Sequence, residues 1–327
     1  MTPRAGHDRF LAKAGWGSAT VLPLAGDASF RRYFRVHDRG RRAVLMDAPP
    51  EHEDVKPFVQ VADVLVGAGF SAPRLLAGDV EQGFLLIEDF GDLLMGPLLA
   101  TDPRREDGVY AQAVNVLSAL HQLPPAGFKP YDRAILEREV LVFAEWYAKA
   151  AGIDADSRSY LEAWNAVWGD VLRETAERPV LTLRDYHADN IILLPDRPGV
   201  KALGLLDFQD ALAGHRAYDL VSLLQDARRD VSPRLERAML AQFLQASDGL
   251  DPQAFRAAYE VLGAQRNVKI LGVFVRLRDR DGRKGYVERL PRVWGYLNRN
   301  FAHPALAPVK AWFDANIPEE LRAQWCR

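Results

Sequence analysis

Two carboxylates and one amide follow each other closely in the middle of the chain, and their spacing is typical of phosphoryl transfer. Asp185 stands five positions before Asn190, and the apolar run 203–206 leads directly into Asp207. Kinase chemistry needs one carboxylate to take the proton of the acceptor hydroxyl, and an Asn and a second Asp to hold Mg²⁺ on the ATP phosphates. We therefore predict that Asp185 is the catalytic base and that Asn190 and Asp207 are the metal ligands.

A β-hairpin is predicted to bring the two metal ligands together. The apolar runs 191–194 and 203–206 are typical of paired strands, and the segment 195–199 between them has strong turn chemistry. A hairpin delivers Asn190 and Asp207 to the same end of two strands, and their oxygen atoms suit magnesium. An Asp five residues before an Asn is a weak motif alone, and a lone Asp after a strand is often a turn residue. The joint occurrence in this order favours a phosphotransferase site.

The elements around this motif predict an α+β fold. Strands are predicted at 21–24, 31–36, 43–46, 73–77 and 83–87, with one helix at 54–67. Helical patterns follow at 107–123, 135–150, 157–175, 232–246 and 252–276. We expect an N-terminal lobe of residues 1–88 that covers the nucleotide and a hinge at 89–92. The helical C-terminal lobe, 93–327, is expected to carry the catalytic loop and the acceptor site.

The hinge and one loop supply the predicted nucleotide contacts. Glu88, Asp89 and Phe90 are expected to contact adenine, mainly through backbone groups. The loop 26–30 lacks both a Gly-x-Gly-x-x-Gly fingerprint and a Walker sequence, but Gly26, Ser29 and backbone N–H groups can still cover phosphate. An ordinary inter-lobe linker and an ordinary hairpin turn explain these two segments equally well.

At this point the chain resembles a known family. The segments 185–190 (Asp-Tyr-His-Ala-Asp-Asn) and 206–209 (Leu-Asp-Phe-Gln) are similar to the catalytic and metal motifs of the aminoglycoside phosphotransferase-like kinases. The segment 214–220, which ends in Asp-Leu, resembles a third family motif. The resemblance extends roughly from residue 22 to the C-terminal helices. It implies a bilobal protein-kinase-like fold, ATP as co-substrate and Mg²⁺.

The chain departs from the kinase pattern on the phosphate side. Met46 stands where a phosphate-binding Lys is expected, and Phe58 stands near the place of its partner Glu. Arg31 and Arg32 are the candidates to meet the phosphate charge, and only one of them can point inward from a strand. The missing Lys leaves open a nucleotide-binding pseudokinase, although the intact Asp185, Asn190 and Asp207 disfavour it.

The catalytic motif departs from the family pattern as well. Leu183 replaces the first His, and Arg184 replaces a small residue. The base, Asp185, is unaffected, but the residues that support it stay unassigned.

Longer strings narrow the resemblance. Residues 24–35, 46–50, 206–211 and 223–230 resemble the bacterial cell-wall amino-sugar kinases, which carry the same Met in place of Lys. This resemblance implies phosphorylation of N-acetylmuramate and N-acetylglucosamine at the anomeric hydroxyl, in peptidoglycan recycling. A choline, homoserine or aminoglycoside kinase is the alternative.

The charge pattern near the C-terminus disfavours a polycationic acceptor. Between Arg266 and Arg299 the basic residues far outnumber the acidic ones, which are Asp279, Asp281 and Glu288. Part of this segment is an ordinary solvated face. A sugar site combines aromatic faces with a few polar groups. The predicted substrate-binding residues are Glu139, Trp146, Tyr147, His187, Asp226, Arg228 and Arg229.

Composition sets outer limits on function. The chain has 327 residues, of which 48% are hydrophobic and 26% charged. Its net charge is −2, so its overall electrostatic potential does not favour binding to nucleic acid or to a membrane surface. The single cysteine, Cys326, excludes an internal disulfide framework. No signal-type or membrane-spanning apolar run is present. We expect a soluble cytoplasmic enzyme that meets ATP and a small amino sugar and has no obligate protein partner.

Overall fold

The computed structural model describes residues 2–24 and 30–324. The predicted phosphate contacts Gly26 and Ser29, and the lone thiol of Cys326, lie outside the described residues.

Short strands form three antiparallel arrangements. The strands are β1 (Thr20–Pro23), β2 (Arg32–Asp38), β3 (Arg41–Asp47), β4 (Leu75–Asp79), β5 (Phe84–Glu88), β6 (Val180–Thr182), β7 (Ile191–Leu193), β8 (Leu203–Leu205) and β9 (Leu212–Gly214). The first five form one sheet in the order β1-β2-β3-β5-β4, whereas β7 pairs with β8 and β6 with β9.

Helices dominate the rest of the described chain. They are α1 (His7–Lys13), α2 (Lys56–Gly67), α3 (Met95–Thr101), α4 (Glu106–Leu120), α5 (Arg133–Val142), α6 (Ser157–Asn165), α7 (Gly169–Glu177), α8 (Ala217–Leu224), α9 (Pro233–Gln245), α10 (Pro252–Asp279), α11 (Leu290–Asn300), α12 (Ala307–Asn316) and α13 (Glu319–Gln324). A π-helical turn, Phe143–Ala148, continues α5. None of the helices in residues 2–24 and 30–324 combines the length and apolarity that a membrane crossing requires.

The chain divides into two compact units. The first is Met1–Thr101 with Asn190–Asp210, and the second is Asp102–Asp189 with Ala211–Arg327. The first unit therefore extends past the predicted hinge at 89–92 and includes the hairpin β7–β8.

The first unit is built on its five-stranded sheet. Residues 43–47 of β3 are all buried, which is expected of a strand covered on both faces. Helix α1 packs on the sheet, where Phe10 stacks on Phe84 with ring centroids 5.8 Å apart. Helix α2 turns Phe58, Val61 and Leu65 inward. The hairpin joins the same unit through a bridge between Ser71 and Gly204.

The second unit is arranged around the long helix α10. Buried residues lie on most of its circumference, and polar side chains such as Gln265 and Asn267 are among them. It packs against α5, the π-helical turn, α8 and α11. At Gly272 it comes so close to the end of α5 that an added Cβ atom would lie 2.3 Å from the carbonyl oxygen of Val142.

Most predicted elements are confirmed. All five predicted strands of the first sheet are present with ends shifted by one or two residues, and so is the hairpin β7–β8. The single helix predicted over 157–175 is wrong, because the chain breaks at residues 166–168 between α6 and α7. The break comes directly before Gly169, a poor residue for a helix interior.

The close approach at Gly272 generates a stability prediction. Gly272→Ala should destabilise the protein by about 1–3 kcal/mol or more, since the new methyl group overlaps backbone atoms of Val142. The matched control is Gly295→Ala in α11, where a Cβ atom meets nothing within 4 Å. Alanine favours an exposed helix interior over glycine by about 0.5–1 kcal/mol, so the control should be neutral or stabilising. Urea unfolding measures both, and a Gly272→Ala protein as stable as the control would contradict this packing.

Candidate active site

The hairpin places the two predicted metal ligands side by side within the first unit. Asn190 directly precedes β7, Asp207 follows β8, and the Leu206 N–H donates to the Asn190 carbonyl at 2.9 Å. The Asn190 amide lies 3.5 Å from the Asp207 carboxylate. The Gln209 amide donates to the other Asp207 oxygen at 2.8 Å. The structure therefore brings together a carboxylate and an amide, both hard oxygen ligands.

Backbone and ring packing fix the direction of the Asp207 side chain. Asp207 has φ +55°, a left-handed conformation that Asp tolerates better than most residues. The next residue, Phe208, is fully buried and stacks on Phe58 of α2, with centroids 5.0 Å apart. Phe58 occupies the place where the kinase pattern has an acidic partner, and in this chain it anchors the segment that carries Asp207.

Arg31 supplies positive charge next to the predicted metal ligands. Its guanidinium lies 3.5 Å from Asp207 and 3.7 Å from Glu53, a residue just ahead of α2. Arg32 turns elsewhere and donates to Asp47 at 2.7 Å. Of the two arginines that the sequence left open, Arg31 is therefore the one beside the metal ligands. Met46 is buried on β3, and the charged pair beside the predicted metal ligands is Arg31 with Glu53.

The residues predicted to contact adenine are held in place by side-chain contacts. Glu88 pairs with Arg74 at 3.0 Å, and Asp89 pairs with Arg35 at 2.9 Å. The Phe90 ring lies against Gly204 of β8, where a Cβ atom would be 2.6 Å from the ring. A glycine is thus required at position 204 for Phe90 to pack on the hairpin.

A buried carboxylate of α8 fixes the backbone next to Asp185 in the second unit. Asp219 accepts the N–H of Leu183 at 2.6 Å and that of Arg184 at 2.8 Å. Burial raises the pKa of Asp219 to about 7, even though the two donors favour its charged form. Arg184 is held at φ +74°, in the left-handed region. The loop therefore enters Asp185 in one defined direction.

A second buried carboxylate supports the other end of this loop. Asp226 accepts the N–H of Ala188 at 3.2 Å and that of Arg228 at 2.8 Å. Burial raises the pKa of Asp226, and Arg228 opposes that shift. His187 is also buried, and desolvation together with Arg228 and Arg266 holds its pKa well below the usual range. Of the two residues predicted to bind substrate, Asp226 thus holds the loop, and His187 is a buried residue within it.

Glu139, a predicted substrate contact, is buried at the centre of an ionic cluster. One of its oxygens accepts from Arg184 and from Lys269 Nζ, the latter at 2.8 Å. The other accepts from the Tyr131 hydroxyl and from the Gln265 amide. Burial alone would raise the pKa of Glu139, but the charges of Lys269 and Arg184 hold it at about 2. Because both oxygens are fully engaged, Glu139 positions its partners in this structure.

The structure corrects the prediction for Tyr147. Its side chain is fully buried in an aromatic core, stacked on Phe143 at 5.0 Å between ring centroids. Its hydroxyl accepts from Trp294 Nε1 at 2.9 Å. Tyr147 therefore has no surface to offer a sugar in this conformation, whereas its neighbour Trp146 is only half-buried.

The two arginines predicted to bind substrate have acidic neighbours. Arg229 donates to Glu106, and Arg228 lies 3.9 Å from Asp189. The long Arg228–Asp189 contact is the looser of the two pairs.

Sequence reasoning missed three residues that matter here: Glu53, Asp219 and Lys269. A signal was available only for Asp219, which ends the motif 214–220. Among the described residues, no group of three or more His, Cys, Asp or Glu side chains is suited to a metal ion. A kinase site needs fewer protein ligands than this, because phosphate and water oxygens complete the Mg²⁺ shell.

Comparison with known proteins places this geometry in a family. Residues 20–257 match the phosphotransferase enzyme family, and the chain belongs to it. Several curated relatives carry the name N-acetylmuramate/N-acetylglucosamine kinase. The one from Caulobacter vibrioides is 38% identical over 96% of this chain and 96% of its own length. The one from Pseudomonas aeruginosa is 38% identical over 96% of this chain and 94% of its own.

Solved structures confirm the kinase-like fold. A choline/ethanolamine kinase family protein from Mesorhizobium loti is similar with a TM-score of 0.61 and 16% identity, covering 93% of this chain and 98% of that one. An aminoglycoside phosphotransferase solved with GDP and kanamycin is similar with a TM-score of 0.57 and 17% identity, covering 94% of this chain and 99% of that one.

The low pKa of Glu139 generates a pH prediction. Its pKa is about 2 in the folded protein, against an ordinary value of 4.5. The ionised group therefore stabilises the fold fully above pH 4.5, and this contribution declines as the pH falls towards 2, by about 1.4 kcal/mol per pH unit. Removing the charge leaves the partly exposed Lys269 and Arg184 without their partner, which costs at most about 3–5 kcal/mol. The stability gap between wild type and Glu139→Gln should be largest near neutral pH and shrink in acid.

Denaturant unfolding at several pH values checks this expectation. Glu145→Gln is the matched control, because Glu145 is exposed on the adjoining π-helical turn. A Glu139→Gln gap that does not change with pH would show that the carboxylate is not held ionised by its partners.

Proposed function

We propose that this chain is an ATP-dependent amino-sugar kinase that phosphorylates N-acetylmuramate and N-acetylglucosamine. The observation that carries the proposal is the Asn190–Asp207 pair on its hairpin, in a chain aligned over 96% of its length with kinases of that name. The anomeric hydroxyl as acceptor, and a role in peptidoglycan recycling, follow from the resemblance to cell-wall amino-sugar kinases.

Asp185 takes the proton of the sugar hydroxyl in this proposal. Asp219 holds the backbone of the two residues before it, so the carboxylate is presented without having to reorganise at the moment of reaction.

Asn190 and Asp207 hold Mg²⁺ in this proposal, Asp207 as the principal ligand. Their carboxylate and amide oxygens are the donors that Mg²⁺ accepts, so the residues present fit the ion. When bound, Mg²⁺ neutralises charge on the transferring phosphates.

Arg31 adds a fixed positive charge on the same side. Glu53 and Asp207 hold its guanidinium, and an arginine fork matches phosphate oxygens well. Arg31 thus does the work of the Lys that Met46 replaces. Gly26 and Ser29 are proposed to cover the phosphates, and the backbone of 88–90 is proposed to contact adenine.

The acceptor side is proposed to use the half-buried Trp146 against a sugar face. His187 and Asp226 act through the loop that they support, and Arg228 is the more loosely paired arginine beside it.

Three substitutions separate these roles. Asp185→Asn keeps the shape of the side chain and removes the proton acceptor, so kcat should fall roughly 10²–10⁴-fold while ATP affinity stays near wild type.

Asp207→Ala should abolish turnover at any magnesium concentration with the fold intact. Arg31→Met should raise KM for ATP more than KM for the sugar. Steady-state kinetics and nucleotide-binding titrations measure all three.

Two results would contradict the assignment. Loss of nucleotide binding in Asp185→Asn would mean that Asp185 serves ATP and not the acceptor. A wild-type rate for Asp207→Ala at saturating magnesium would remove Asp207 from the metal site.

An acceptor panel tests the substrate class. With magnesium-ATP, ADP release should occur with N-acetylglucosamine and N-acetylmuramate, and at much lower kcat/KM with kanamycin, choline or homoserine. Asp185→Asn is the negative control for contaminating kinases. Efficient turnover of kanamycin alone would overturn the amino-sugar assignment, and binding of ATP without turnover of any acceptor would favour the pseudokinase.

A further inference from the structure

The left-handed conformation of Arg184 is the starting point. Glycine adopts φ +74° freely, whereas a residue with a Cβ atom is strained there. The kinase motif that this segment resembles has a small residue at the same place. Backbone strain beside a catalytic residue is kept when the side chain performs a function that offsets it. The conformation of Arg184 therefore motivates a functional hypothesis for its guanidinium.

Arg184 shares its carboxylate partner with a second cation. Lys269, from α10, donates to the same oxygen of Glu139 that accepts from Arg184. Both cations thus share one carboxylate oxygen. The other Glu139 oxygen accepts from the neutral groups of Tyr131 and Gln265, so Glu139 is a single anchor for both cations.

The side chains of Arg184 and Lys269 are more exposed to solvent than the Glu139 carboxylate that binds them. The side chains of Arg184 and Lys269 are 18% and 24% exposed, against 7% for Glu139. An ammonium group has three donors and a guanidinium five. Within the described part of the chain, Lys269 donates to Glu139 alone. The cluster therefore presents donors and positive charge at a partly open surface.

The cluster lies next to the proposed base. Arg184 adjoins Asp185 in the chain, and both Arg184 and Lys269 interact electrostatically with Asp185. In N-acetylmuramate a lactyl ether, which ends in a carboxylate, is attached to the third ring carbon. That carbon is two ring bonds from the anomeric carbon, so a sugar with its anomeric hydroxyl at Asp185 carries this carboxylate close to the base. N-acetylglucosamine has a hydroxyl there instead.

We propose that Arg184 and Lys269 bind the lactyl carboxylate of N-acetylmuramate, and that Glu139 is the positioning residue that holds both cations in place. The inference rests on the proposed function and assigns the residues that bind the charged group of the acceptor. Arg228 and Arg229, the arginines that the sequence favoured for this task, are paired with Asp189 and Glu106.

Selectivity between the two sugars tests the proposal, because only one of them carries the carboxylate. Lys269→Met and Arg184→Gly should each lower the ratio of kcat/KM for N-acetylmuramate to that for N-acetylglucosamine about 10- to 100-fold, the range for a lost hydrogen bond to a charged group. Glycine suits the left-handed backbone at position 184, so this variant removes the side chain without adding strain. The matched control is Lys310→Met, a surface lysine of α12 paired with Asp314, which should leave the ratio unchanged.

A neutral substrate analogue makes the test specific for charge. The methyl ester of N-acetylmuramate keeps the lactyl group and removes its charge. Wild type should prefer the acid over the ester by the same 10- to 100-fold, and Lys269→Met should lose most of that preference.

The outcomes separate two failures. If wild type phosphorylates both sugars but the variants lower both rates equally, the cluster positions Asp185 and the carboxylate subsite is overturned. An acid-over-ester preference that survives in both variants overturns it as well. If wild type phosphorylates neither sugar, the proposed function itself fails.

Discussion

The hydrogen bonds from the Leu183 and Arg184 backbone to the buried carboxylate of Asp219 are the constraint on which the acceptor side depends. They require the chain to enter Asp185 through a left-handed residue, and they fix that residue against α8. The same turn sends the Arg184 side chain to Glu139, which also holds Lys269. Direction of the base and placement of the two cations therefore follow from one backbone conformation.

The residues predicted to bind phosphate are held by a charged pair that differs from the one in other kinases. Kinases pair a strand Lys with a helix Glu, and neither residue is present at the expected position. Arg31, at the start of β2, and Glu53, ahead of α2, form an ion pair instead, and Arg31 also approaches Asp207. Phe58 packs on Phe208, so helix α2 supports the segment that carries Asp207 through apolar contact.

The sequence predicts what is encoded over short distances. Asn190 and Asp207 could be paired in advance because two apolar runs and a strong turn specify a hairpin. Only one of Arg31 and Arg32 could face inward, but strand alternation alone does not say which. Glu53 became visible only once the fold placed it beside Arg31, since its partner lies far from it in sequence.

The surroundings of aromatic and charged residues on helices, by contrast, could not be predicted from the sequence. Tyr147 was a reasonable sugar contact by residue type, yet helix packing buries it against Phe143. Glu139 has the chemistry of a substrate ligand, but its partners come from α10 and from the catalytic loop. Lys269 carries no local pattern that marks it, because it lies on a helix that is buried on most sides and mixes apolar with polar residues. Burial of such residues depends on tertiary contacts that no short pattern reports.

The central claim is that this kinase transfers phosphate to the anomeric oxygen of an amino sugar. The most direct measurement is the phosphorus NMR spectrum of the product from N-acetylglucosamine and magnesium-ATP, taken together with an assay of reducing ends. We expect a sugar phosphate whose phosphorus couples to the anomeric proton, with one reducing end lost for each ADP released, because an anomeric phosphate locks the ring. A phosphorus coupled to the protons of the sixth carbon, with all reducing ends preserved, would contradict it.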